Sequence, residues 1–449
     1  MISRSRLATL VSCTTLLGLS AAIGPVAVAA NGIPNSAVVS SAVSDMNAFV
    51  QANPSRFGGI YLDQQSGTVH VTVAPGMDSA TLAKTQQIST KASGTKIVVD
   101  KVPLSYADLQ KVLAEVSIKE PWATDTKDIR SSWGIDPITD KVAIGVTTLT
   151  PQVLQEARLA FGDSVRLYQE ARNSALIRTT WVKSPRIVNV RAARSKSNVP
   201  ATANPAIAGP PLIDSTPYID GDRMTREIFF PDGSTEIEQC TVGLTWNNGG
   251  PELFMGSAGH CGPVNKPWLQ GYFDPSQNTV FETGPMGTPF DNPFSDGNID
   301  GMLMDQGGII GYYATEMWQN ISGQYAISPV KFIHDAMVGE HVCFNGSFTG
   351  TRCSGTVTSA DSCVPIEYKN PDTLIVSVIT SCHLATVTSP EQIVQPGDSG
   401  GPVFFGNPAD GAVGATGIIS AGNAAGTTAF YTNRSGFQGF FSGNFDVMP

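Results

Sequence analysis

The chain has 449 residues, of which 41% are hydrophobic and 15% charged, with 28 Lys and Arg against 38 Asp and Glu. That length exceeds one ordinary domain and suits two, and the apolar share excludes wholesale disorder. The acidic excess argues against a nucleic-acid-binding protein, while 45 Gly and 30 Pro suit a turn-rich β protein.

Residues 1–30 read as a secretory signal peptide. Arg4 and Arg6 supply the positive end, Leu7 to Ile23 form a short apolar stretch, and Ala27-Val28-Ala29 offers small residues for cleavage. A stable membrane anchor is not expected, because the segment is short and holds Ser, Thr and Gly. The product is therefore expected to be secreted and extracellular.

Residues 31–190 read as an α+β region built from two similar units, about 45–118 and 130–190. Gly58–Val73 and Ser132–Val146 resemble one another: each sets an Asp (Asp63, Asp136) before a turn, then alternates apolar residues. Period two marks half-buried strands. A helix follows each. Asp78 caps one beginning near Ser79; Thr150, Pro151 and Gly162 are the cap, first turn and stop of the other. Short strands are predicted at Lys96–Val99 and Val165–Tyr168. Another helix fits Ser105–Val116, with Ser105 and Asp108 as a capping box. His70, inside a strand pattern, reads as structural, and no catalytic constellation is found here.

Residues 191–217 read as a linker. Arg191, Arg194 and Lys196 precede five prolines up to Pro217, and maturation cleavage is expected within this stretch. Residues 218–449 then read as an all-β domain, with strands at Thr241–Trp246, Glu252–Ala258, Gly401–Phe405, Ala412–Ser420 and Thr427–Thr432.

Of the seven cysteines, Cys13 lies in the signal; Cys240, Cys261, Cys343, Cys353, Cys363 and Cys382 remain. An even set in an exported chain favours disulfides. Pairing neighbours in order gives three local bridges, one of many pairings open to six cysteines. No Cys/His cluster has metal-ligand spacing, so no metal or cofactor is implied.

Three segments carry chemistry. In Gln395–Pro402, QPGDSGGP, glycines around Ser399 permit a tight turn, and the amides of Gly397 and Ser399 can converge as an oxyanion hole. In Ser257–Cys261, SAGHC, His260 suits a general base, and a Cys240–Cys261 bridge would pin its loop. Asp300 directly precedes the apolar run Met302–Met304 and suits the carboxylate that orients an imidazole; Asp296 and Asp305 compete with it. The G-x-S-x-G pattern also fits α/β-hydrolases, but there the His follows the Ser. Here no His follows Ser399. His334, His341 and His383 lack comparable contexts and read as structural.

SAGHC, IDGML and PGDSGGP resemble the three active-site segments of chymotrypsin-like serine proteases. Gly339–Val357 resembles the short disulfide hairpin of the bacterial streptogrisin and α-lytic group. The resemblance spans roughly Ile219 to Tyr431. It implies an all-β catalytic domain of two perpendicular six-stranded antiparallel β-barrels with the site between them. It also implies a serine endopeptidase with His260, Asp300 and Ser399 as triad, acting on protein or peptide substrates as a monomer. By the same resemblance Ile393 lies at the base of the primary pocket, Ser420, Ala421 and Gly422 form one wall and Ala429 another. Such a pocket implies an apolar or small residue before the scissile bond. The first half is similar to the pro regions of this group, which implies a folding aid and intramolecular inhibitor. A barrel dominated by non-local contacts folds slowly, which gives a folding template a purpose. One departure is the stretch Glu391–Gln395, where many relatives carry a Cys. The alternatives are an inactive protease-like binding protein and an esterase using the same triad.

Overall fold

The computed structural model describes residues 41–91, 95–119, 130–189, 214, 216–309, 311–321, 324–369, 375–406 and 412–448. The expected signal peptide and residues 191–213 of the expected linker lie outside them. Among the described residues no helix is long and apolar enough to cross a membrane.

The N-terminal part is built from a unit used twice. In the first, β1 (Phe57–Asp63) and β2 (Thr68–Val73) pair antiparallel, α2 (Ser79–Lys91) follows, and β3 (Lys96–Lys101) pairs parallel with β2. In the second, β4 (Arg130–Asp136) and β5 (Lys141–Val146) pair antiparallel, α4 (Pro151–Phe161) follows, and β6 (Val165–Gln169) pairs parallel with β5. The two predicted hairpin aspartates act alike. Asp63 accepts from the Gln65 amide and the Ser66 hydroxyl, and Asp136 from the Ile138 amide and the Thr139 hydroxyl. Each carboxylate closes its turn locally. Between the units, α3 (Tyr106–Ile118) starts in the expected capping box, and α4 starts under Thr150, whose hydroxyl accepts from the Val153 amide. Leu109, Leu113 and Val116 bury the apolar stripe of α3 against Trp133, Ile135, Val142, Ile144 and Val146 of β4 and β5.

Ahead of both units stands α1 (Ser41–Gln51), a helix the sequence reading did not anticipate. Its Val43, Met46 and Val50 stripe packs on Phe57, Ile60, Val69 and Val71.

Three short strands follow the second unit: β7 (Asn173–Ala175), β8 (Arg178–Lys183) and β9 (Arg186–Asn189). The remainder is almost wholly β: β10 (Tyr218–Asp220), β11 (Arg223–Phe229), β12 (Ser234–Thr241), β13 (Thr245–Asn247), β14 (Leu253–Ser257), β15 (Trp268–Asp274), β16 (Thr279–Asp291) and β17 (Met302–Asp305). Then come β18 (Tyr313–Ile321), β19 (Gln324–Ile333), β20 (His341–Gly346), β21 (Gly350–Lys369), β22 (Val376–Thr388), β23 (Pro402–Phe405), β24 (Val413–Asn423), β25 (Thr428–Asn433), α5 (Arg434–Phe440) and β26 (Asn444–Phe445).

Two closed circuits of strands result. In the first, β12 bends into β13, and the ring continues through β14, β17, β16, β15 and β11 back to β12. The bend splits the run predicted as one strand, Thr241–Trp246. A side chain at Gly243 would lie 2.5 Å from the Gly400 carbonyl, so the chain passes the second barrel there as bare backbone. In the second circuit β20, β21, β22, β25, β24 and β23 close on β20. Met224, Cys240, Met255, Trp268 and Met302 fill the first barrel; Val342, Phe344, Val387, Val403 and Tyr431 fill the second. The two-barrel, all-β second half that the resemblance implies is what is observed.

Disulfides join Cys240 to Cys261, Cys343 to Cys353 and Cys363 to Cys382, the neighbour-to-neighbour pairing. The N-terminal part docks on the second barrel edge to edge: β4 pairs antiparallel with β21 at Ser362 and Cys363. Strands β8 and β9 instead join the first barrel, β8 antiparallel to β12 and β9 parallel to β16.

Candidate active site

Strand β14 delivers His260 through a short turn, Gly259–Cys261, whose last residue is bridged to the end of β12. Asp300 arrives just ahead of β17, which pairs with β14. Ser399 sits between β22 and β23 on the second barrel. The three side chains are fully buried and in line. Asp300 Oδ2 lies 2.7 Å from His260 Nδ1, and His260 Nε2 lies 2.6 Å from Ser399 Oγ. The second carboxylate oxygen, Oδ1, accepts from the His260 backbone amide at 2.9 Å. That leaves the imidazole one orientation. Burial alone would push the Asp300 carboxyl up. The charge on His260, with hydrogen bonds from His260 and Ser420, holds it below the usual carboxylate range.

The turn that carries Ser399 depends on two glycines. Gly397 has φ +104° and Gly400 φ +88°, a region that L side chains rarely occupy. A side chain at Gly397 would meet the Phe348 ring, and one at Gly400 would meet Ser257 Oγ and the Thr241 carbonyl. The turn is braced from below by Asp398. Its Oδ1 accepts from the amides of Phe348 (3.0 Å) and Thr349 (3.1 Å), and its Oδ2 from the Gln395 amide (2.8 Å) and the Thr349 hydroxyl. Complete burial pushes the Asp398 carboxyl up against these bonds.

The chain is similar in structure to solved proteases. Thermobifida fusca protease A is 19% identical with a TM-score of 0.34, covering 51% of this chain and 98% of that one. Nocardiopsis protease is 24% identical with a TM-score of 0.31, covering 45% of this chain and 90% of that one. A glutamic-acid-specific serine protease is 19% identical with a TM-score of 0.32, covering 50% of this chain and 97% of that one. No family model and no curated protein matches.

The expected pocket residues divide by what their side chains touch. Ile393 and Ala429 are buried in one apolar cluster with Val394 and with Leu176 from the N-terminal part. Gly422 belongs beside them, since a side chain there would lie 3.5 Å from Leu176 Cδ1. Ala421 pairs through its backbone with Ala175, while its side chain packs in a different cluster with Phe294 and Phe430. The Ser420 hydroxyl donates to Asp300 Oδ2 at 2.5 Å, and its carbonyl lies 3.4 Å from Ser399 Oγ.

Several supporting residues escaped the sequence reading. Thr241 donates its amide to the Ser399 carbonyl (2.8 Å) and its hydroxyl to the Gly397 carbonyl (2.8 Å). Thr432 donates to the Asp300 carbonyl at 2.6 Å. Asn292 donates to the carbonyls of Gly259 and Gly262, and Phe294 meets the His260 ring edge-on at 5.9 Å. No local motif marks these residues. The other histidines lie elsewhere: His70 meets Asp100, His334 meets Glu340, His341 meets Thr356 and His383 meets Asp361.

Proposed function

We propose that this chain is a secreted serine endopeptidase precursor, with His260, Asp300 and Ser399 as its triad. The observation that carries the reading is one unbroken relay, Asp300 to His260 to Ser399, beside a Gly397 amide that donates to a peptide carbonyl, that of Leu176. Ser399 attacks a substrate carbonyl as His260 takes its proton. His260 returns the proton to the leaving amine, and water then hydrolyses the acyl-enzyme by the same route reversed. Asp300 fixes the imidazole and stabilises its charged form. The amides of Gly397 and Ser399 bind the oxyanion.

Ile393, Gly422 and Ala429 offer no counter-charge to a basic side chain, which supports a preference for an apolar or small residue before the scissile bond. Residues 31–190 act as a pro region that aids folding and inhibits the barrels until it is removed. The reading of export rests on the signal-like N-terminus and the three disulfides.

The test is intact-mass analysis of the secreted protein with and without a fluorophosphonate probe, beside Ser399→Ala. One adduct on the wild type, absent from the variant, is the expected result. A folded, processed chain that takes no adduct and cuts no peptide would favour a binding protein. Ester turnover without peptide turnover would favour an esterase.

A further inference from the structure

The chain's own residues 173–183 run through the catalytic centre. On one side of it, β7 pairs antiparallel with β24, Ala175 against Ala421, Ser174 against Gly422 and Asn173 against Asn423. On the other, β8 pairs antiparallel with β12, from Arg178 against Gln239 to Lys183 against Ser234. Leu176 and Ile177 lie between these two strand pairings. The Leu176 side chain is 3% exposed and belongs to the apolar cluster of Ile393, Val394 and Ala429. Its carbonyl accepts from the Gly397 amide. A segment strand-paired on both sides of one carbonyl, with that carbonyl on an amide of the nucleophile's turn, is held as an extended substrate is held.

From this geometry we propose that the Leu176–Ile177 bond is a self-cleavage site, and that leucine is an accepted residue in the primary pocket. The proposal rests on the endopeptidase reading above. Ser399 Oγ adds to the Leu176 carbonyl carbon as its proton passes to His260. The carbon–nitrogen bond breaks, and the Ile177 nitrogen takes that proton as a new amino terminus. Water then attacks the Leu176 ester, giving a proton to His260 and its hydroxyl to the carbonyl carbon. The products are a Leu176 carboxylate and a regenerated Ser399.

The cut lies upstream of the basic and proline-rich stretch, and it divides two unequal attachments. Residues before it leave the cleft with β7. Residues 177–189, counted above with the pro region, remain part of the first barrel after this cut. Strand β8 keeps its ladder to β12, and β9 keeps its parallel ladder to β16. Arg178 lies over the Phe348 ring at 4.8 Å, Trp181 stacks on Phe230 at 5.1 Å, and Lys369 lies over Trp181 at 4.5 Å. The leaving amine is therefore tethered by its own strand to the first barrel, while the acyl side is held to the second barrel only through β7 and the docked N-terminal part.

The experiment is terminal mapping by mass spectrometry of the full chain, wild type beside Ser399→Ala. The same wild-type preparation is assayed on a synthetic peptide of residues 173–180 and on that peptide with aspartate in place of leucine. The expected results are a fragment ending at Leu176 and a chain beginning at Ile177 in the wild type only. The parent peptide should be cut between Leu and Ile, and the aspartate peptide at least about tenfold more slowly. A wild type that labels with fluorophosphonate and cuts other peptides, yet keeps the Leu176–Ile177 bond or is cut only within 191–217, overturns the proposal and leaves the endopeptidase reading intact. The same cut in Ser399→Ala assigns it to another enzyme and also overturns it. Absence of both label and peptide cleavage overturns the two readings together.

Discussion

Ser420 donates its hydroxyl to Oδ2 of Asp300 at 2.5 Å, the same oxygen that faces His260. Residues 120 apart in the chain thus share the carboxylate on which the relay depends. Asp300 is fully buried, so each donor it loses leaves the burial penalty less opposed. Ser420→Ala is expected to raise the Asp300 pKa. Loss of a hydrogen bond to a charged group, about 1.5–3 kcal/mol, corresponds to roughly a tenfold or larger fall in kcat/KM. Steady-state kinetics on an apolar peptide check the fall; an unchanged kcat/KM would remove Ser420 from the relay.

Gly400 is closed to any side chain. At φ +88° an added Cβ would stand 2.0 Å from Ser257 Oγ and 2.1 Å from the Thr241 carbonyl. Gly400→Ala is expected to destabilise the fold by more than about 2 kcal/mol, combining backbone strain with a backbone clash. Denaturant midpoints measured on the Ser399→Ala background, where self-digestion is absent, check this. A loss below about 0.5 kcal/mol would mean the turn relaxes.

The Cys240–Cys261 bridge ties the His260 turn to β12 across a sequence separation of 21. Replacing both by alanine is expected to cost about 3 kcal/mol by release of loop-closure entropy in the unfolded chain. It should also lower kcat more than it raises KM, because His260 loses its anchor. Equilibrium unfolding, paired with steady-state kinetics well below the midpoint, separates the two effects.

Glu227 and Glu282 form an acidic pair on the first barrel. Burial, reinforced by the Glu282 charge, pushes Glu227 up to about 8, and burial pushes Glu282 up as well. The folded state therefore holds a proton that the unfolded state releases in the ordinary carboxylate range. Stability from this pair is full below that range and is lost as pH rises toward about 8. Glu227→Gln is expected to flatten that decline. Thermal unfolding of Ser399→Ala, with and without Glu227→Gln, between pH 5 and pH 9 (roughly one unit beyond the window on the alkaline side) checks the sign. A wild-type midpoint that rises over this interval would contradict it.

Much of the site was legible in the sequence because its signals are local. Glycines at 397, 400 and 401 around Ser399 mark a turn no side chain could make. Small residues before His260 mark a tight exit from a strand. Asp300 stands directly before an apolar run, and Asp63 and Asp136 each precede a turn that they close by themselves. The capping residues Ser105 and Thr150 likewise act within three positions of themselves.

Residue types and short-range spacing by themselves marked the candidate residues His260 and Ser399, the doubled ββαβ unit and the β-rich second half, because turns, caps and strand periodicity act over a few residues; that Asp300, and not Asp296 or Asp305, meets His260 is a tertiary contact. Only the tertiary structure decided where remote segments meet. The break of the predicted Thr241–Trp246 strand at Gly243 follows from the approach of Gly400, far along the chain. The Ser420 hydroxyl serves Asp300, 120 residues away, a role that no local motif assigns to it. The placement of Leu176 at Gly397, and of β8 and β9 in the first barrel, depends on unpaired strand edges being filled by whichever segment of the folded chain reaches them. Hydrogen-bonding demand at a strand edge is not written in the composition of the strand that satisfies it.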